Sequence, residues 1–70
     1  MDKDLLIYYM KKANKSRDEL AKDLGISPRS IDNKLSGVTD FGMAEVRTII
    51  RVLKLSNEAT FEIFFANNVA

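Results

Sequence analysis

Arg29 and Asn33 are the side chains of this sequence best suited to recognising another molecule. They are four residues apart in a stretch with helical features, so both project from the same side of that helix. A guanidinium donates parallel hydrogen bonds, and a carboxamide donates one hydrogen bond beside the one it accepts. The pair therefore suits planar partners that present two polar atoms side by side.

The composition argues against catalysis and metal binding. The 70-residue chain has no cysteine and no histidine, which removes thiolate nucleophiles, disulfides and the usual zinc ligands. A chain of this size also has little room for a cleft lined by a nucleophile and a base, or by paired carboxylates. We therefore expect no enzyme activity, no cofactor, no metal site and no small-molecule substrate.

Charge is distributed unevenly along the chain, although the net charge is only +1. Residues 11–34 contain seven basic and four acidic side chains, whereas residues 35–70 contain three basic and four acidic ones. An electropositive first half is suited to binding phosphate groups, but ordinary solvated helices carry charges at similar density. Charge alone leaves both interpretations open.

The length predicts a single domain spanning residues 1–70. A composition of 46% hydrophobic and 30% charged residues, with few glycines and prolines, is typical of a soluble helical domain. The first apolar run, residues 5–10, is too short for a signal peptide or a membrane span. We therefore expect a cytoplasmic protein without a membrane partner.

Capping residues predict two short helices next to each other. Ser16 and Glu19 have the spacing of a capping box, which begins a helix at residue 17, and Gly25 ends it. Ser27, followed by a proline, begins the next helix at once, and Gly37 ends it. Two short helices joined by a glycine-led turn have the geometry of a helix-turn-helix.

Apolar residues at three- and four-residue spacing predict three further helices. Their expected ranges are 3–14, 43–53 and 57–66, and a loop is expected at 38–42. Met43 is expected on the buried face of the 43–53 helix, and Ser56 is expected to cap the last helix. No alternating strand pattern and no internal repeat is present. The sequence thus predicts an all-α fold, a compact five-helix bundle with a helix-turn-helix core at 16–37.

The window SRDELAKDLGISPRSIDNKLSG, residues 16–37, resembles the lambda repressor and Cro-type helix-turn-helix family of transcriptional regulators. The resemblance rests on the capped second helix with Leu20 and Ala21, the glycine-led turn, the apolar Ile31 and the closing Gly37. The segments TDFGMAEVRTIIRVLKLS and EIFF are similar to small regulators from phages of Gram-positive bacteria. The resemblance implies a phage or prophage repressor or Cro-like protein that binds operator DNA in the bacterial cytoplasm.

In this family the third helix enters the major groove, and the start of the second helix meets the phosphate backbone. The resemblance implies base readout by Pro28, Arg29 and Asn33, with Ser27 and Asp32 alongside. Arg29 can pair with guanine O6 and N7, and Asn33 with adenine N6 and N7. Backbone N–H groups at the start of the second helix and nearby cations are expected at phosphate. These residues are Ser16, Arg17, Lys11, Lys12, Lys15 and Lys34.

The last predicted helix is apolar on nearly all sides. Phe61, Phe64 and Phe65 share one face, whereas Ile63 lies on the opposite side. A surface helix needs only one apolar face, so a second one indicates a partner or burial on two sides. We expect a weak homodimer, although greater burial in a small core is the alternative. The expected contact residues are Ile63, Ala59 and Ala66, together with Ile7 and Tyr8 of the first helix.

A protein-protein interaction module is the alternative function, because a helix-turn-helix scaffold can serve partner binding. Such a module is expected to expose aromatic or aliphatic anchors on the third helix, whereas a base-reading helix exposes polar side chains. Arg29 and Asn33 favour DNA as the partner.

Overall fold

Five α-helices account for the fold of residues 1–66, the part of the chain that the computed structural model describes. They are α1 (Lys3–Lys12), α2 (Arg17–Leu24), α3 (Pro28–Ser36), α4 (Met43–Leu53) and α5 (Asn57–Phe64). No strand occurs within this range. The structure confirms the predicted all-α five-helix bundle, with extents of 32 × 24 × 20 Å.

Serine caps begin three of the helices as the sequence predicts. Ser16 Oγ accepts a hydrogen bond from the Glu19 N–H at 3.1 Å, and Glu19 Oε1 accepts one from the Ser16 N–H at 2.9 Å. Ser27 Oγ caps α3, and Ser56 Oγ caps α5 in the same way. Each cap satisfies a backbone donor that has no partner inside its helix.

The glycines that end α2 and α3 adopt left-handed backbone conformations, with φ of +70° at Gly25 and +89° at Gly37. Two helices end two residues earlier than predicted. Asn14 turns left-handed at φ 57°, and the Lys15 N–H bonds to the Met10 carbonyl, so α1 ends before residue 13. At Phe65 the backbone leaves helical geometry, which ends α5 before residue 66.

Each helix contributes one large, fully buried side chain to a single core. They are Leu6, Leu20, Ile31, Ile49 and Ile63. Within the bundle α2 packs on α3 and α4, and α5 packs on α1. The three-residue connection at 25–27 thus places α3 on α2 and brings its buried face into the common core.

Two expectations about exposure are wrong. Met43 was expected in the buried face of α4 but is 62% exposed at the first position of that helix. On α5, Ile63 and Ala59 are buried, whereas Phe61 is 50% exposed. The helix is rotated so that Ile63 enters the core, and the Asp2 N–H bonds to the Ile63 carbonyl at 2.7 Å. Ile63 and Ala59 therefore have no surface with which to form the expected dimer contact.

Candidate nucleic-acid interface

The α3 helix has a buried face and an exposed polar face. Ile31 and Leu35 lie one turn apart and are almost completely buried, which holds the helix on the bundle. Pro28 and Arg29, at its N-terminal end, are exposed. Within residues 1–66 the Arg29 guanidinium has neither an ion pair nor a hydrogen bond, so its donors remain available to a partner.

Asn33 follows Arg29 by one turn and is half-buried at the far end of the exposed face. Its backbone carbonyl accepts hydrogen bonds from the Val38 N–H and from Ser36 Oγ. Among the described residues its carboxamide has no hydrogen-bond partner. The structure therefore brings Arg29 and Asn33 to one face, whereas the Ser27 hydroxyl oxygen, also expected at the bases, is occupied as a helix cap.

Arg17 and Asp32 form an ion pair that the sequence analysis did not predict. Arg17 Nη1 lies 3.0 Å from Asp32 Oδ1, which links the first residue of α2 to the middle of α3. Their side chains are 64% and 54% exposed. Residues expected at phosphate and at bases, respectively, thus contact each other across the two helices.

The N-terminus of α2 is less open to phosphate than expected. The Ser16 N–H donates to the Glu19 carboxylate, so it is not free to bind an external anion. That hydrogen bond, followed by one from the Ser16 hydroxyl, lowers the pKa of Glu19. The Glu19 carboxylate therefore competes with phosphate for the Ser16 N–H, and the expected phosphate contact of Ser16 stays a prediction.

The four lysines expected at phosphate differ in whether their ammonium groups already have a partner within the protein. Lys15 Nζ lies 2.8 Å from Asp23 Oδ2, and this hydrogen bond is the main cause of its raised pKa. Lys12 Nζ lies 5.8 Å from the centre of the Tyr9 ring. Lys11 is exposed and has no ion pair within residues 1–66. Of these, Lys11 is the cation most readily available to a polyanion.

Lys34 is held at the junction of α3, the following loop and α4. Its side chain is only 17% exposed, and its Nζ lies 3.2 Å from Glu45 Oε1 and 2.9 Å from the Asp40 carbonyl oxygen. The ammonium also lies 5.8 Å from the centre of the Phe41 ring. These contacts hold the end of α3 against the loop and α4. The sequence did not predict this structural role of Lys34.

Arg47 and Arg51 form a basic pair on α4 that the sequence analysis did not single out. Both are exposed, and neither has an ion pair in the described part of the chain. Their four-residue spacing places them on one side of the helix. That spacing was visible in the sequence and could have identified them as candidate phosphate contacts.

Exposed apolar side chains form a surface at α5, which we call the α5 apolar surface. It comprises Phe61, Phe65 and Met43, which are 50%, 40% and 62% exposed. Phe65 and Met43 also line a groove of about 280 Å³. Three residues were expected in the dimer contact besides Ile63 and Ala59. Tyr8 is 55% exposed, and Ile7 and Ala66 are half-buried.

No group of three or more acidic, histidine or cysteine side chains in residues 1–66 is arranged to hold a metal ion. No helix in the same range is long and apolar enough to cross a membrane. Comparison of the chain with protein-family models, curated proteins and solved structures gives no significant match.

Proposed function

We propose that this protein is a sequence-specific transcriptional regulator that reads the major groove of double-stranded DNA with α3. The observation that carries the proposal is the exposed polar face of α3, on which Arg29 has no partner among residues 1–66. An α-helix with its side chains is about 10 to 12 Å in diameter and fits a major groove about 12 Å wide. The buried Ile31 and Leu35 anchor the opposite face.

The exposed side chains match the hydrogen-bonding pattern of base edges. Arg29 can donate to guanine O6 and N7, and Asn33 can pair with adenine N6 and N7. Asp32 can accept from the N4 amino group of cytosine, and Pro28 can contact a thymine methyl group. The face carries no aromatic anchor, which favours DNA over a protein partner.

Phosphate contacts would come from Arg17 and Lys11, with Arg47 and Arg51 as further candidates. All four side chains are exposed. Neutralising DNA phosphates releases condensed counterions, so the affinity should fall with added salt.

We further propose a weak homodimer on two-part operators, in the manner of phage or prophage repressors of the bacterial cytoplasm. One copy can cover a single half-site, whereas half-sites of such operators lie about 34 to 36 Å apart. The α5 apolar surface replaces Ile63 and Ala59 as the contact in this proposal, because Phe61 and Phe65 are exposed.

Selection of binding sites from random duplex DNA, read by sequencing, tests the DNA-binding proposal. Arg29→Ala should lose preference at one guanine and weaken binding to the selected site by about 1 to 3 kcal/mol. Arg47→Ala removes the same side chain from α4 and should leave base preference unchanged. Wild-type binding and preference in both Arg29→Ala and Asn33→Ala would contradict readout by α3.

A further inference from the structure

The ion pair of Arg17 and Asp32 lies on the surface that the proposed function assigns to DNA. It joins the start of α2 to the exposed side of α3 at 3.0 Å, and both side chains remain more than half exposed. Each side chain has chemistry suited to DNA, the guanidinium to phosphate and the carboxylate to a base amino group. In the free protein they bind each other instead.

A carboxylate and a phosphate compete for the same donors of Arg17. The guanidinium presents its N–H groups as a planar fork that fits either anion. An ion pair with this exposure is weak, so the fork can exchange one anion for the other readily. Duplex DNA offers a dense row of phosphates, which favours transfer of Arg17 to the DNA.

Transfer of Arg17 leaves the Asp32 carboxylate facing a negatively charged duplex. This repulsion opposes binding at every sequence, because phosphates are present at every site. It is offset only where the carboxylate accepts a hydrogen bond from the N4 amino group of cytosine. A group that weakens binding at most sites more than at one site raises specificity.

We propose that Asp32 limits nonspecific DNA binding by holding Arg17 in the free protein, and that duplex binding transfers Arg17 from Asp32 to a DNA phosphate. The inference rests on the proposed function and adds a specificity-determining residue to it. Arg17 is then a phosphate contact that becomes available only when its internal partner is displaced.

Asp32→Asn and Arg17→Gln, separately and combined, test this exchange on a random-sequence duplex and on a selected site. Asp32→Asn should tighten binding to the random duplex by about fivefold at ~0.1 M salt and lower the ratio of selected-site to random-site affinity. Part of that gain should disappear when Arg17→Gln is also present, because the ion pair is then absent and only the repulsion between Asp32 and phosphate remains. Glu62→Gln removes the same charge from an exposed position on α5 and should change random-duplex binding by less than about twofold.

Thermal melting followed by circular dichroism checks that the variants fold, as expected for exposed positions. Equal effects of Asp32→Asn and Glu62→Gln would overturn the inference while leaving the DNA-binding proposal in place. Equal tightening of random-duplex binding by Asp32→Asn with and without Arg17→Gln would also overturn the inference, because the Asp32 carboxylate would then act through repulsion alone. Failure of the wild type and every variant to bind any duplex would remove the proposed function and this inference together.

Discussion

Lys34 illustrates, at the scale of one residue, how a charge expected at DNA contributes to the fold. Its ammonium contacts Glu45 of α4 and the Asp40 carbonyl of the loop, while its stem lies mostly out of solvent. Hydrogen bonds that involve a charged group contribute more than neutral ones, particularly where water is partly excluded. The end of α3 is thereby fixed relative to α4.

Lys34→Met keeps most of the side-chain stem but removes the ammonium. We expect it to lower the free energy of unfolding by about 1 to 2 kcal/mol, measured by urea denaturation at neutral pH. Lys22→Met, at an exposed position without an ion pair among the described residues, should change stability by less than about 0.5 kcal/mol. Unchanged stability with a DNA salt dependence reduced by about one unit would instead assign Lys34 to phosphate.

At the scale of one element, the capping box of α2 makes the helix sensitive to acid. The pKa of Glu19 is lowered chiefly by the hydrogen bond from the Ser16 N–H, then by the Ser16 hydroxyl. A carboxylate with a lowered pKa in the folded state stabilises that state above its unfolded pKa, about 4.3 for glutamate. This contribution is lost as the pH falls through the lower, folded-state pKa.

Glu19→Gln tests the acid sensitivity without removing the cap, because a glutamine oxygen can still accept the Ser16 N–H. We expect the variant to lose part of the decline in melting temperature that the wild type shows between about pH 5 and pH 3. Glu62→Gln, whose parent carboxylate has no hydrogen bond or ion pair within residues 1–66, should keep the wild-type decline. Parallel profiles for all three proteins would show that the charge of Glu19 does not stabilise α2.

Local signals predicted the helix boundaries well because caps act over three or four residues. Ser16, Ser27 and Ser56 begin the helices that they were expected to begin, and Gly25 and Gly37 end the expected ones. The early end of α1 was missed because Asn14 was included in the helix, although asparagine, after glycine, is the residue that most readily ends a helix in the left-handed conformation. The range 57–66 was overextended because no glycine marks the end of α5.

The orientation of α5 and the ion pairs of the candidate interface were not predictable in the same way. Periodicity cannot select the inner face of a helix whose Phe61, Ile63 and Phe65 are all apolar. The packing of α5 on α1 places Ile63 in the core. The pairing of Arg17 with Asp32 depends on how α2 and α3 cross, which no local pattern specifies.

At the scale of the whole molecule, size limits how two copies could share an operator. The longest extent of the bundle is 32 Å, slightly less than the separation of about 34 to 36 Å between half-site centres. Two copies whose longest axes run along the operator would therefore touch only over a small area near their ends. A small contact area indicates weak association that DNA binding must assist.

The α5 apolar surface is the expected location of that contact. Only a minority of interface residues contribute more than about 1 kcal/mol of association energy, and large aromatic residues are enriched among them. The double variant Phe61→Ser and Phe65→Ser should therefore bind a full operator about tenfold more weakly, yet bind an isolated half-site like wild type. Gel shifts on the two duplexes, with sedimentation of the free protein, measure both effects.

Tyr8→Ser is the matched control, because Tyr8 is an exposed aromatic residue of α1 with similar accessibility. It should leave the ratio of full-operator to half-site affinity unchanged if α5 supplies the contact. A lower ratio of full-operator to half-site affinity in Tyr8→Ser alone would place the dimer contact on α1. Wild-type ratios in both variants would mean that neither surface joins the two copies, and that each half-site is occupied independently.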